Sequence, residues 1–208
     1  ITEASYDALG RTTGVWAPGR SRTSYPNDPT TGYSYLISKT AESHITTRTI
    51  NPNNTYDTAY QIIDSLARPR QTQTAAYGGG RIVTDTFYDS AGRVSKANGA
   101  RAVSGTAGTT LLLSEDGDVP SQTRTVFDAA GRVTNQIFLS ENVEKWRTVT
   151  SYHGDHVRTT PVEGETATTV WTDARGDVLR LGPAPYLSDR QLQDAIGLLG
   201  EAVREEVW

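Results

Sequence analysis

Apolar residues along this chain come singly or in runs of at most three, Leu111-Leu112-Leu113 being typical, set among Thr, Ser and charged residues. That is the pattern of strands that are only partly buried. The stretch Thr84-Asp85-Thr86-Phe87-Tyr88-Asp89-Ser90-Ala91-Gly92-Arg93-Val94 shows the unit: two short strands hinged on Asp-Ser-Ala-Gly. The same reading gives a strand ending at Val15-Trp16 and a loop over residues 21–32, where two prolines forbid regular pairing. A Thr-rich hairpin follows over residues 33–38 and 44–50, closed by Asn51-Pro52-Asn53-Asn54. Further strands are expected over 123–127, 133–139, 147–152 and 156–160, and residues 97–120, rich in Gly, Ala and Ser, read as an excursion. The tail changes period. Ser188-Asp189-Arg190-Gln191 has the form of a capping box. Leu192, Ala195, Ile196, Leu199 and Val203 then recur at helical spacing, predicting one amphipathic helix over about residues 189–206. The expectation is an all-β sheet region over 1–181 and a Pro-containing linker with a short helix over 182–208.

The hairpin unit repeats. Tyr6-Asp7-Ala8-Leu9-Gly10-Arg11 and Phe127-Asp128-Ala129-Ala130-Gly131-Arg132 match Tyr88-Asp89-Ser90-Ala91-Gly92-Arg93 as aromatic, Asp, two free positions, Gly, Arg. Two degenerate copies read Ile63-Asp64-Ser65-Leu66-Ala67-Arg68 and Trp171-Thr172-Asp173-Ala174-Arg175-Gly176-Asp177. Each residue type has a physical reason. Asp can bond its own backbone two positions on, and Gly accepts positive φ where the next strand starts. Asp-x-x-Gly therefore suits a type I turn closed by a Gly bulge. The aromatic and the Arg are expected to meet across their own turn, with Arg93 on the Phe87-Tyr88 pair. Ala67, in the place of Gly, weakens a left-handed turn there. The spacing of the aspartates is uneven, which suits a long meandering sheet better than a fixed-period solenoid or a propeller.

Charge and composition narrow the field. The hydrophobic share is 36%, so little dense core is available per residue. A net charge of −4 with dispersed arginines lacks the basic patch of a nucleic-acid binder. No stretch is long and apolar enough for a membrane-spanning helix. With no Cys there are no disulfides and no thiolate metal sites. The chain has no Met, even at position 1, as expected of a piece of a longer protein.

Aromatic-Asp-x-x-Gly-Arg in several copies resembles the YD-repeat, or rearrangement-hotspot (Rhs), family, which also includes teneurins and insecticidal toxin-complex proteins. Residues 65–74 running on to Arg93, Glu144-Lys145-Trp146-Arg147, and residues 152–177 are likewise similar to large secreted bacterial Rhs proteins. The resemblance covers about residues 1–181. It implies a sheet that spirals into a shell enclosing a C-terminal toxin, in a secreted or cell-surface protein. The partners it implies are neighbouring YD-repeats of the same parent chain and the enclosed toxin domain; no cofactor is implied. The Asp-Pro-x-Gly-Leu type of self-cleavage motif that ends the family's core does not occur here. The residues read from the repeat as structural corners are Tyr6, Asp7, Gly10, Arg11, Asp64, Arg68, Tyr88, Asp89, Gly92, Arg93, Phe127, Asp128, Gly131, Arg132, Trp171, Asp173 and Gly176.

Other chemistries have candidate residues as well. His153-Gly154-Asp155-His156 invites a metal reading, but in an extended chain the two imidazoles point to opposite faces, so a solvated turn is expected. Glu115, Asp116 and Asp118 lack the order of a calcium loop. Repeated Asp residues raise a hydrolase pair, yet each sits where a turn needs it. There is no Gly-x-Ser-x-Gly elbow and no phosphate loop. Tyr and Trp along strands leave a carbohydrate-binding or adhesion module, recognising surface glycans, as the alternative.

Overall fold

The computed structural model describes residues 1–173, 175–176 and 178–179, with 190, 193–194, 196–198 and 200–201 of the tail. The protein is all-β. Its contacts divide it into two units, Ile1–Thr150 with Pro161–Glu165, and Ser151–Thr160 with Thr166–Trp208. The expected change of character at residues 181 and 182 lies outside the described residues.

The first unit holds β1 (Glu3–Tyr6), β2 (Thr12–Trp16), β3 (Thr31–Leu36), β4 (His44–Ile50), β5 (Tyr56–Ile63), β6 (Pro69–Ala75), β7 (Arg81–Tyr88), β8 (Val94–Val103), β9 (Gln122–Phe127), β10 (Val133–Ser140) and most of β11 (Val143–Tyr152). Each strand pairs antiparallel with the next in chain order. The result is a pure meander, open along β1, whose turns alternate between the two edges of the sheet. The connections β1–β2, β5–β6, β7–β8 and β9–β10 therefore fall on one edge. The second unit contains β12 (His156–Thr160), β13 (Thr168–Thr172) and β14 (Val178–Leu179), also consecutive and antiparallel. In the tail, Arg190, Gln193, Asp194, Ile196, Gly197, Leu198, Gly200 and Glu201 are helical. The capping box and the rest of the 189–206 span lie outside the described residues.

One sequence expectation is corrected. The excursion begins at residue 104, not 97, because β8 extends to Val103 and pairs with β7 along its length. Gly99 sits where a neighbour approaches closely. A Cβ on Gly99 would lie 2.9 Å from the Ser121 hydroxyl, and Gly99 N–H donates to the Ser121 carbonyl at 2.7 Å. The glycine marks a tight crossing here, and not a loop.

The core is thin and unusually polar. Its apolar members are Trp16, Ile62, Ile63, Val83, Val119 and Leu139, alongside buried Gln71, Gln73, Asp85, Asn98, Arg101 and Gln122. Registers place Ile62, Gln71, Asp85, Asn98, Gln122 and Leu139 directly opposite one another on six successive strands. They form one transverse row on one face, apolar at both ends and polar in between.

Candidate functional site

The four corners on the shared edge have one geometry. In each, the Asp N–H donates to the Arg carbonyl four residues on, at 2.9 Å, and the residue three after Asp returns a bond to the Asp carbonyl at 2.9–3.0 Å. The carboxylate closes the turn. At Asp89, Oδ1 accepts from Ala91 N–H and Arg93 N–H, both at 2.9 Å, while Oδ2 accepts from Arg93 Nε at 2.8 Å. Asp7 with Leu9 and Arg11, and Asp64 with Leu66 and Arg68, repeat this arrangement. Asp128 holds Arg132 N–H and Nε in the same way. Gly10, Gly92 and Gly131 have φ of +77°, +83° and +83°, and Ala67 takes φ +60° in the same role. The degenerate copy thus makes the full turn with a strained alanine.

These contacts hold the corner carboxylates below the ordinary Asp range. For Asp7, Asp89 and Asp128 the leading cause is the backbone N–H of the corner Arg; for Asp64 it is the Arg68 side chain. An anion accepting several N–H bonds is favoured over its acid.

The arginine's second contact departs from the sequence expectation. Arg68, whose own corner carries Ile63 in the aromatic's place, reaches forward. Its guanidinium lies 4.1 Å over the ring of Tyr88, at the next corner along the edge, and Arg93 lies 4.3 Å over Phe127, at the corner after that. Arg11 lies 4.4 Å over Tyr35 at the end of β3, again one hairpin further on. The same guanidinium tips press on the next corner's glycine. A Cβ on Gly92 would lie 3.2 Å from Arg68 Nη1, and one on Gly131 would lie 3.3 Å from Arg93 Nη1. The Asp ties up one side of the fork, and the planar remainder projects outward onto the neighbour. The motif is a clasp between hairpins.

Each of the four corners is followed by a bulge at one position. Tyr6 faces Thr12 while Ser5 faces Gly14, leaving Thr13 unpaired. Arg70, Ser95 and Thr134 are the extra residues after the other three corners. Each lies six residues after its Asp. A bulge bends the strand that carries it and raises its twist, so all four outgoing strands bend alike.

In the second unit, Gly176 N–H donates to the Asp173 carbonyl, Arg175 N–H donates to Asp173 Oδ1, and Gly176 has φ +87°. Trp171 is not this corner's aromatic: Thr172 precedes the Asp, and Trp171 faces His156 on β12. Asp177 lies outside the described residues.

Two features escaped the sequence reading. The Asn51–Asn54 turn, expected only as the close of the 33–50 hairpin, joins β4 to β5 as a further corner on the opposite edge, with Asn51 Oδ1 accepting Asn53 N–H and Thr55 N–H at 3.1 Å and Asn54 at φ +61°. Asn in the place of both Asp and Gly was its signal, since Asn makes the same local bonds and tolerates the left-handed region. No bulge follows it: Ile50, Thr49 and Arg48 pair in step with Tyr56, Asp57 and Thr58.

The other is the polar row and what covers it. Gln71 Nε2 donates to Asp85 Oδ1 at 2.6 Å, Asn98 Nδ2 to Asp85 Oδ2 at 3.1 Å, and Gln122 Nε2 to Asn98 Oδ1 at 3.0 Å. Arg101 Nη1 stands 2.7 Å from Asp85 Oδ2, an ionic contact that compensates a buried carboxylate without hydrogen-bond geometry. The connection of residues 104–121 folds over this face as a strap. Gln71 pairs with both backbone groups of Leu112, its Oε1 accepting at 3.0 Å and its Nε2 donating at 2.8 Å. Gln73 does the same between Gly108 N–H and the Thr110 carbonyl. Two glutamines at i and i+2 thus grip the strap by its main chain. At its far end, Asp116 accepts from Lys96, Gln122 and Arg124. Its pKa is pulled below the usual range, chiefly by the Lys96 hydrogen bond. The period-two Gln-Thr-Gln was the available signal; nothing local tells that its face is buried.

Among the described residues, no group of three or more His, Asp or Glu side chains is arranged to hold a metal ion. No helix there is long and apolar enough to cross a membrane. Fold and clasps together define a class, an all-β antiparallel meander of aspartate-cornered hairpins. No protein-family model matches the chain, and no curated protein matches it.

Proposed function

We propose that this chain is a non-catalytic wall segment of a YD/Rhs-type β-shell, in a secreted or cell-surface protein, that encapsulates or presents a toxin. The observation that carries the reading is the clasp: Arg68 on Tyr88 and Gly92, then Arg93 on Phe127 and Gly131. A device that joins each hairpin to the next suits a continuous wall. The bulge six residues after each Asp adds bending of one sign on one edge. Each corner carboxylate is occupied by backbone and arginine donors, which favours a building role over hydrolysis. One face of Tyr35, Tyr88 and Phe127 already carries a guanidinium, which favours wall packing over a sugar platform.

The test is electron microscopy of the intact parent protein. A hollow β-shell with density for an enclosed C-terminal domain is expected. A parent with neither shell nor enclosed domain overturns the reading, and specific hits for this segment on a glycan array would favour adhesion instead.

A further inference from the structure

A strand that ends in an aromatic receives a fixed set of contacts from the adjacent strand that begins with an arginine. Tyr88, ending β7, has the Arg68 guanidinium 4.1 Å over its ring and donates its hydroxyl to the Pro69 carbonyl at 2.8 Å. Tyr35, near the end of β3, has Arg11 at 4.4 Å and donates to the Thr12 carbonyl at 2.8 Å. In both, the accepting carbonyl belongs to the residue directly after the arginine. Where the receiving strand leads into a glycine corner, the guanidinium also fills the space beside that glycine, as at Gly92 and Gly131.

Tyr6 ends β1, and every one of these places around it is empty. Among the described residues no guanidinium lies over its ring and its hydroxyl has no partner; the side chain is 64% exposed. A Cβ on Gly10 would meet nothing within 4 Å. β1 pairs with β2 alone, so its other edge presents unmet backbone N–H and C=O groups. A carboxylate completes the likeness. Glu3 stands three residues before Tyr6, as Asp85 stands three before Tyr88. Asp85 meets Arg70 of the adjacent strand at 3.5 Å, whereas Glu3 has no ion pair among the described residues. By strand alternation Glu3 and Tyr6 lie on opposite faces, as Asp85 and Tyr88 do.

The geometry points to the β1 edge as a docking surface for an aspartate-cornered hairpin, the neighbouring one of the wall, whose outgoing strand adds antiparallel to β1. Its corner arginine covers Tyr6 and fills the space at Gly10. The carbonyl after that arginine accepts the Tyr6 hydroxyl, and a second cation two residues on meets Glu3. Arg68-Pro69-Arg70 is a sequence with all three features. Any extended strand satisfies the backbone of β1; an arginine held by its own Asp satisfies Tyr6 as well. A guanidinium is planar and forked, so it bonds the Asp on one side and stacks with the remainder, which an ammonium does not do. This assignment of the partner rests on the wall reading.

The β5–β6 hairpin is the probe, because β6 already makes this joint with β7. A synthetic peptide of residues 58–75, closed by a disulfide between added terminal cysteines, is titrated into the isotope-labelled full chain and followed by NMR. Closure removes much of the ordering cost of a lone two-stranded hairpin. One saturable site per chain is expected, with shifts at the Glu3–Tyr6 amides and the Tyr6 ring. Arg68→Ala in the peptide should weaken binding roughly fivefold or more. Arg68→Lys should weaken it nearly as much, and Arg70→Ala about twofold. Tyr6→Ala in the chain should match Arg68→Ala in the peptide, and the peptide variants keep their meaning even if that chain variant fails to fold. No saturable binding, shifts confined to other strands, equal binding of the Arg68→Ala peptide, or self-association of the chain through β1 that the peptide does not displace would each overturn the assignment. Imaging of the parent tests the wall separately. Peptide bound at β1 beside a parent that forms no shell leaves this surface standing and removes the wall; an intact shell with no peptide binding does the reverse.

Discussion

Asp89 shows how much one residue can do at a corner. Its Oδ1 fixes two backbone amides, its Oδ2 fixes Arg93, and the fixed guanidinium then reaches Phe127 and the Gly131 backbone. The glycine has two separate reasons to be glycine, and the corners separate them. Gly10 has positive φ but open space around an added Cβ, whereas Gly92 has positive φ and the Arg68 tip at 3.2 Å. Gly10→Ala should cost about 1 kcal/mol for the left-handed backbone, and Gly92→Ala about 1 kcal/mol more, as the Arg68–Tyr88 stack is pushed apart. Chemical denaturation of the two variants checks the order, and equal losses would remove the second role. The same reasoning explains why alanine survives at 67. The same-edge connection before it, residues 37–43, contains no arginine to press on it, so only the backbone strain is felt.

At the scale of elements, sequence served the turns well and the faces badly. Asp-x-x-Gly-Arg is local chemistry, so the corners at Asp7, Asp64, Asp89 and Asp128 could be read directly, down to the drift at Ala67. The arginine's true partner could not, because it lies on another hairpin and depends on which turns share an edge. The polar row was hidden for a related reason. Gln71, Asp85, Asn98 and Gln122 are residues one places in water, and only the strap over residues 104–121 makes their face interior. His153 and His156 flank the expected exposed turn, but their rings stack where an extended chain would part them. The strap yields a prediction of its own. Gln71→Ala leaves Leu112 and Asp85 with unmet partners in a buried site, a loss of about 2 kcal/mol. Limited proteolysis should then cut first within residues 106–114. Gln136→Ala, on an exposed strand position, should change stability by no more than about 0.5 kcal/mol. Equal protease resistance in the two variants would show that the strap does not depend on the glutamine grip.

For the molecule as a whole, the clasps set an acid limit. The corner carboxylates titrate below their ordinary range in the folded state, so the unfolded chain binds protons first as pH falls. Their contribution is complete above an unfolded Asp pKa of about 3.9 and is lost as pH drops from there through the lower folded values. Thermal melts should therefore be flat with respect to these groups down to about pH 4.5 and fall below about pH 4. A gain in stability on acidification below pH 4 would contradict the carboxylate-centred account.

The clasp also has a direction. The Asp64 corner gives Arg68 forward to the Asp89 corner, which in turn gives Arg93 to the Asp128 corner, so the three belong to a head-to-tail series although their spacings in the chain differ. Whatever lies between two corners, a bare hairpin or a long strap, is invisible to that exchange. Such a joint works like a standard coupling. A hairpin bearing its own aromatic, Asp, Gly and Arg can join to another copy before or after it, and such a sheet can be lengthened or shortened with no new interface to invent.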